Sequence, residues 1–268
     1  MKPQAPGAAV SRPRTGRRIA REGGYSLIEL SVAILIALFL LGGVLLVEQD
    51  VHTAYGDQSG LAQLQDEERF AMSLLTEVIQ SGGHFPNPTQ NTIDSALPAL
   101  TSSTPQGQSI PFQQEQAIWG LYNSGTPVSD SIAVRFMTTA QENMTLCDGT
   151  TGAGNTYTNY FYVTQTGSNY YLNCELQTGT AWAASPVQLV KGLEKISVLY
   201  GINTTGTDNN VDSYLTASQV TAGGQWLSVT SAKVTLTFAN PLAAEPGQPA
   251  TVQFTRVISL MSRIGVAP

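Results

Sequence analysis

An uninterrupted run of apolar residues constrains this chain more than any other feature of its sequence. The eighteen residues from Leu30 to Val47 contain one polar side-chain group, the hydroxyl of Ser31. Together with residues 25–29 the run spans about 35 Å as a helix, which is enough to cross a bilayer core of roughly 30 Å. The run therefore predicts a membrane-spanning helix, and a helix fully buried in a soluble core is the alternative.

The charges on either side of the run predict its orientation. Residues 1–24 contain six Lys or Arg residues and one Glu, whereas Glu48 and Asp50 follow the run directly. Cationic flanks stay on the cytoplasmic side of a membrane. We therefore expect a single-pass membrane protein whose N-terminus is cytoplasmic and whose C-terminal part lies on the other side of the membrane.

A secretory signal peptide is a further alternative, because it also places an apolar core behind a basic region. Such cores usually have ~7–15 residues and end at a small-residue cleavage site, but the run here is longer and no such site follows Val47. The small residues Gly23 and Gly24 instead precede it. Cleavage there would remove the basic leader and keep the apolar helix.

The remainder of the chain is acidic and sparsely charged. Charged residues make up 12% of the 268 residues, and residues 25–268 contain seven cations and eighteen anions, a net charge of −11. A nucleic-acid-binding protein would present a basic surface, so no nucleic-acid partner is expected. Two His and two Cys residues leave little material for a transition-metal site, and the sequence predicts no metal, cofactor or nucleotide.

A processing motif lies at the start of the apolar run, where residues 24–30 read GYSLIEL. This segment resembles the prepilin motif of type IV pilins and type II secretion pseudopilins. The resemblance implies that a prepilin peptidase removes residues 1–24 by cleaving between Gly24 and Tyr25, and that Tyr25 is then N-methylated. It also implies that residues 25–47 form the membrane or filament-core half of a long helix. The implied partners are other major and minor pilins and the inner-membrane assembly platform.

Glu29 is a candidate assembly residue, because a charged, unpaired carboxylate in hydrocarbon costs several kcal/mol. Its spacing from Ser26 also fits a capping box, in which the Glu29 side chain accepts a hydrogen bond from a backbone N–H at the helix start. The pilin resemblance implies a different partner, the N-terminal amine of a neighbouring subunit. Both interpretations stay open, with capping before assembly and the ion pair after it.

An amphipathic helix is predicted beyond the membrane segment, over residues 48–81. No proline interrupts residues 14–85, and apolar residues recur largely at three- and four-residue steps over residues 61–79, as in a helix packed on a core. The sequence Ser-Gly-Gly at residues 81–83 predicts its end, since Gly adopts the left-handed capping conformation. Within the membrane half, Gly42-Gly43 is the predicted place of any local unwinding on assembly.

Strand patterns dominate the C-terminal part. Residues 82–130 are rich in Pro, Gly, Ser, Thr and Gln and predict a loop-rich connection with one or two short elements, with Ile118–Tyr122 as its apolar tether. A periplasmic β domain follows over residues 131–268. Its predicted strands cover residues 131–137, 157–164, 169–176, 188–200, 228–238 and 251–264, of which the second and third form a hairpin. An antiparallel sheet packed on the soluble half of the long helix gives an α+β, pilin-like fold.

Cys147 and Cys174 are the two cysteines of the sequence, and both lie beyond the membrane segment. In an oxidising periplasm we expect them to form a disulfide, with two buried free thiols as the alternative. Closing a loop of this length would stabilise the domain by about 3.5 kcal/mol.

Within the pilin class, the central part of the chain resembles PilW-type minor pilins. The resemblance rests on residues 147–149, 160–163, 171–174, 189–196, 198–201 and 212–215 and on Trp226, in that order. It implies a structural subunit that acts in assembly or initiation of the type IV pilus, in a tip or priming complex, and that ends in the extracellular filament. The alternatives are a minor pseudopilin of a type II secretion system and a membrane-anchored binding protein or hydrolase.

Two other patterns suggest chemistry but favour simpler roles. The sequence D-x-N-x-D at residues 208–212 opens like a calcium loop, but Ser213 and Gln219 stand where Gly and Glu are required, so we expect these residues to cap a turn between strands. His52 and His84 lack metal-ligand partners in the sequence. No G-x-S-x-G nucleophile turn is present, and no enzymatic activity is predicted.

Overall fold

A computed structural model describes Gly24 and residues 26–104, 107–205 and 210–261. The chain divides into two compact units between Ala54 and Tyr55. The helices are α1 (Leu27–Gln80), α2 (Ile93–Ala96) and α3 (Ala217–Gly223). The strands are β1 (Leu100–Ser103), β2 (Ser109–Phe112), β3 (Ile118–Ser124), β4 (Ser129–Thr138), β5 (Asn155–Thr166), β6 (Asn169–Thr178), β7 (Ala181–Trp182), β8 (Val187–Lys191), β9 (Leu193–Ile202), β10 (Ser213–Thr216), β11 (Val229–Ala239) and β12 (Thr251–Ser259).

The strands form three antiparallel sheets in the described part of the chain. β1 pairs with β2, and β10-β9-β11-β12 form a four-stranded sheet. The largest sheet has the order β3-β4-β5-β6-β7, with β8 also paired to β6. A long N-terminal helix combined with antiparallel sheets is the α+β class that the sequence predicts.

The C-terminal half of α1 lies in the second unit and forms part of its core. Its buried residues recur at steps of one, three and four, as expected for the inner face of an amphipathic helix. They are Leu64, Ala71, Met72, Leu74, Leu75, Val78 and Ile79. These side chains join one hydrophobic cluster with side chains of both larger sheets, so the predicted packing of the helix on the sheets is confirmed.

The predicted end of α1 and the predicted β-hairpin are also confirmed. α1 ends at Gln80, and Gly83 follows with φ 81°, the left-handed conformation that Gly adopts at low cost. The hairpin of β5 and β6 turns through Gly167, with φ 62°, and Ser168. β5 is longer than predicted by two residues at each end, and β6 is longer by two residues at its C-terminal end.

The segment predicted as one strand over residues 188–200 is two strands. Gly192, with φ 81°, separates β8 from β9. β8 pairs with β6, whereas β9 pairs with β10 and β11 in the other sheet. The chain therefore changes sheets at this glycine, which apolar alternation alone does not reveal. At the C-terminus β12 ends at Ser259, and residues 262–264 of the predicted strand lie outside the described residues.

The connection over residues 82–130 contains more regular structure than predicted, namely α2, β1, β2 and β3. The apolar segment Ile118–Tyr122 forms most of β3, which pairs with β4. Arg135 of β4 accounts for much of the order before β3, because its guanidinium donates hydrogen bonds to backbone carbonyls of residues 97–116.

Candidate functional site in the N-terminal segment and around the disulfide

The apolar run forms part of the first half of α1 and is uncovered. All side chains from Leu30 to Val47 are exposed, and that of Phe39 is 82% exposed. Among the described residues, α1 is the one helix long and apolar enough to cross a membrane. Exposure of so large an apolar surface to water is energetically unfavourable, so the segment fits a membrane anchor. α1 continues through Gly42 and Gly43, and their unwinding on assembly stays a prediction.

The predicted processing site lies just before this helix. Gly24 is exposed, and α1 begins at Leu27, with the Ser26 carbonyl accepting a hydrogen bond from the backbone N–H of Leu30 at 3.1 Å. Tyr25 lies outside the described residues. Cleavage between Gly24 and Tyr25 and methylation of Tyr25 therefore stay predictions.

Glu29 is exposed in the first turn of α1. Within the described part of the chain, neither its carboxylate nor the Ser26 hydroxyl makes a side-chain hydrogen bond, so the predicted capping box is not formed there. Among the described residues, no side chain pairs with this carboxylate beside the apolar run. Pairing with a cation from outside the chain would allow the Glu29 carboxylate to enter an apolar environment.

The second unit contains the predicted disulfide between Cys147 and Cys174, whose Cα atoms are 5.9 Å apart. Cys174 lies in β6 opposite Phe161 of β5, and both cysteines are buried. The backbone N–H of Cys147 donates to Oδ1 of Asn159 at 2.8 Å. These bonds attach the loop between β4 and β5 to the largest sheet.

A surface cavity of about 420 Å³ lies beside the disulfide. It is lined by α1, β8 and the loop that carries Cys147, and its apolar side chains include Phe70, Leu74 and Val187. Asp148 lies at the same cavity, where its Oδ1 accepts hydrogen bonds from the backbone N–H and the hydroxyl of Thr150. The lining contains no cation and no nucleophile paired with a base, so it offers an apolar surface and no catalytic arrangement.

Several buried polar groups hold the second unit together. Asp130 joins the two larger sheets, since Oδ1 accepts from the Asn123 N–H and Oδ2 from the Val198 N–H, both at 2.8 Å. Burial raises the pKa of Tyr160, and burial together with nearby Asp130 raises the pKa of Tyr200 well above its ordinary value. Both tyrosines therefore stay protonated at neutral pH and serve packing.

The candidate metal and calcium residues make local contacts. In the described ranges, no three His, Cys, Asp or Glu side chains come together to hold a metal ion. His52 lies 3.8 Å from Glu48, and His84 lies 3.0 Å from Glu142.

Asp208 of the calcium-like pattern lies outside the described residues. Asp212 accepts hydrogen bonds from the hydroxyl and the backbone N–H of Thr204, both at 2.7 Å, and these bonds lower the pKa of Asp212. For Asp212 the predicted turn-capping role is confirmed.

The C-terminal part of the chain matches a known protein family. Residues 160–257 match the family model of type IV pilus-assembly protein W. The match supports a protein related to type IV pilus assembly. It begins within β5 and ends within β12, so it covers most of the strands and contains Cys174. No curated protein gives a significant match to the chain.

Sequence reasoning missed Arg135 and Asp130, the charged residues with the most buried hydrogen bonds described above. In the predicted strand, Arg135 alternates with Val134 and Phe136 and reads as a solvent-facing residue. The lone cation inside a strongly apolar strand is a weak signal of burial. Its carbonyl partners are 19 to 38 residues away, and no spacing rule connects them.

Proposed function

We propose that this chain is a minor pilin, a non-enzymatic structural subunit that acts in assembly or initiation of the type IV pilus, in a tip or priming complex. The observation that carries the proposal is the exposed apolar half of α1, which requires lipid or other apolar helices around it. The GYSLIEL motif before it and the family match after it support the same function.

In this proposal the helix has two successive environments. Prepilin peptidase removes residues 1–24, and residues 25–47 hold the subunit in the inner membrane with residues 48–268 in the periplasm. Assembly then transfers the apolar helix from lipid into a bundle of helices from other pilins. Because both environments are apolar, the transfer exchanges one set of packing contacts for another and does not expose the helix to water.

Glu29 has a specific role in the proposed transfer. An unpaired carboxylate opposes entry into an apolar bundle, whereas a carboxylate paired with the positive N-terminal amine of a neighbour favours one register between subunits. The exposed position of Glu29, which has no ion-pair or hydrogen-bond partner among the described side chains, supports this role. The energy for movement comes from the assembly ATPase, which is a separate protein.

Processing tests the proposal directly. Co-expression with a prepilin peptidase should give a mature chain that begins at Tyr25, measured by mass spectrometry of the intact protein. Gly24→Ala should leave the chain uncut, whereas the matched Gly23→Ala should be cut normally. A chain that keeps Met1 in a host that builds pili would contradict the proposal.

Assembly is tested separately from processing. Glu29→Gln should be cleaved and inserted normally but should be lost from sheared filaments, because the neutral side chain cannot pair with the amine. Glu48→Gln, outside the apolar run, is the matched control. Normal recovery of the Glu29→Gln variant in filaments would rule out the ion pair.

A further inference from the structure

The edge of the four-stranded sheet offers a long row of backbone hydrogen-bonding groups. β12 pairs with β11 at all nine positions without a register shift. Two hydrogen bonds, from Leu260 N–H to Thr230 O and from Asn240 N–H to Ala250 O, lie just beyond the two ends of the ladder. They show which residue pairs of β11 and β12 are the hydrogen-bonded ones. Since hydrogen-bonded positions alternate in antiparallel pairs, the even-numbered residues of β12 bond to β11. The odd-numbered residues direct their N–H and C=O groups outward, and they are Thr251, Gln253, Thr255, Val257 and Ser259.

This edge lacks the features that usually protect a terminal strand. Proteins shield such strands by shortness, bulges, prolines or several charges. In the described sheets, β7 and β10 have two and four residues and β3 has a register shift. β12 has nine residues, no proline and no shift, and its Val257 is 51% exposed. The backbone groups along this edge can therefore pair with one more strand.

The charges beside this edge indicate the character of that strand. Arg256 of β12 donates one hydrogen bond to the Thr76 hydroxyl at 3.3 Å, and Lys233 of β11 lies opposite Val257. Neither cation forms an ion pair within the described part of the chain. Lys233 shares a face of the sheet with its partner Val257, and Val257 is the direct neighbour of Arg256. Because successive side chains of a strand point to opposite faces, Arg256 and Lys233 lie on opposite faces of the sheet. These unpaired cations stand in a chain whose residues 25–268 carry a net charge of −11.

We propose that β12 binds an acidic, extended segment of another protein by adding it as a fifth strand to this sheet. The backbone groups of the odd-numbered residues, repeating every ~6.7 Å, supply the binding energy. Arg256 and Lys233 select carboxylates on the two faces of the incoming strand. A second copy of this chain fits less well, because β12 contains no acidic residue and would bring its own Arg256 to the interface.

The first experiment uses designed peptides and the full chain in phospholipid nanodiscs. The probe is a nine-residue peptide of alternating Val and Thr with two adjacent central Glu residues, which point to opposite faces of a strand. Its controls have Lys at those positions or N-methylated alternate amides. Fluorescence anisotropy should show binding of the Glu peptide and at least about tenfold weaker binding of both controls. Equal binding of the three peptides, or no binding of the Glu peptide, would overturn the proposal.

Matched variants test the edge itself. Thr255→Pro removes an outward N–H that β11 does not use, and should weaken peptide binding about tenfold, whereas Thr255→Val keeps the N–H and should not. Arg256→Glu should weaken the Glu peptide and strengthen the Lys peptide, which gives a second variant if proline disturbs the strand. Binding that is unchanged in both Thr255→Pro and Arg256→Glu would overturn the proposal.

Residue-level amide exchange identifies the occupant. In the protein alone the Gln253, Thr255 and Val257 amides should exchange rapidly and those of Phe254 and Ile258 slowly. The Glu peptide should protect the first group. Slow exchange of the first group before peptide is added would show that the chain covers its own edge. A concentration-dependent dimer abolished by Thr255→Pro would show a second copy instead. Either result would overturn the proposal.

Discussion

At the residue scale, Arg135 shows how one buried cation organises a segment that looks irregular in sequence. Its side chain is 1% exposed and donates to the carbonyls of Leu97, Pro98, Gln113 and Gln116, at 2.6 to 3.1 Å. The ring of Phe112 lies 4.6 Å from its guanidinium carbon, within the range of a cation–π contact. Burial lowers the pKa of Arg135 to about 10, so the side chain stays charged at neutral pH.

Replacing this side chain should destabilise the second unit strongly. Arg135→Met removes four hydrogen bonds, two of them to carbonyls of the buried residues Leu97 and Gln116. A buried carbonyl that loses its donor costs about 1–3 kcal/mol. We expect the free energy of unfolding, measured by urea denaturation, to fall by about 3 kcal/mol or more. Arg69→Met, at an exposed site on α1, should change it by less than about 0.5 kcal/mol. Similar losses in the two variants would contradict the role given to Arg135.

At the scale of elements, two contacts attach the loop after β4 to its neighbours. The disulfide joins the loop to β6, and the contact between His84 and Glu142 joins it to the segment after α1. The disulfide spans 27 residues of sequence and joins that loop to β6. On the other side, His84 follows the end of α1, and its carbonyl accepts a hydrogen bond from the Met137 N–H at 2.9 Å. The loop is therefore held by a covalent bond at one end and by hydrogen bonds at the other.

Removal of the disulfide should cost stability without changing the fold. In the Cys147→Ala, Cys174→Ala double variant, we expect the free energy of unfolding to fall by about 3.5 kcal/mol, since the unfolded chain regains the entropy of an open loop. Urea denaturation of the oxidised wild type and the variant measures the difference. The reduced wild type should resemble the variant, and equal stability of all three forms would contradict the prediction.

The Glu142 carboxylate should give a stability difference that depends on pH. Burial by itself raises the pKa of Glu142, but hydrogen bonds from the Thr139 N–H, His84 and the Thr138 hydroxyl outweigh it and lower the pKa overall. A carboxyl group with a lowered folded-state pKa stabilises the fold above its unfolded-state pKa of about 4.3. This contribution is lost as pH falls through the folded-state pKa.

Glu142→Gln should therefore lower the free energy of unfolding at pH 7 by less than about 1 kcal/mol, because the site is exposed. The difference from wild type should shrink as pH falls below about 4. Denaturation at pH 7 and pH 3 measures it, with the exposed Glu48→Gln as control. A difference that grows toward acid would contradict the assigned direction.

At the scale of the whole molecule, the division between Ala54 and Tyr55 separates two different requirements for stability. The described residues of the first unit form an exposed apolar helix and contain no buried core. The second contains the strands, the disulfide and the buried half of α1. The N-terminal part of α1 therefore requires an apolar environment around it, whereas its C-terminal part contributes to the hydrophobic core of the second unit.

Two fragments should show this division. Residues 55–268 should fold in water without detergent, whereas residues 81–268 should not. The shorter fragment lacks the seven buried side chains of α1. Burial of each of the larger ones contributes about 1.5–3 kcal/mol, so their combined loss is comparable with a typical stability of about 5–15 kcal/mol. Circular dichroism and size-exclusion chromatography measure folding. A stable, cooperative 81–268 fragment would contradict the role of α1.

Features with a local or compositional signal were predictable from sequence. The apolar run, the end of α1 and the β5–β6 hairpin depend on neighbouring residues, and the disulfide needed no choice of partner since the sequence has two cysteines. The break at Gly192 was missed because apolar alternation continues across it into another sheet. The capping box of Ser26 and Glu29 fits by spacing but is not formed in the described chain.

The sequence by itself determined a helix with a membrane-compatible start, an α+β class and a carboxylate at the start of the apolar run, because these properties depend on composition and short-range spacing. The tertiary structure decided that Arg135 is buried and that β12 lies at a sheet edge. Both depend on pairings between distant segments, whose order follows from the packing of the whole chain. No short stretch of sequence specifies which strand is left without a neighbour.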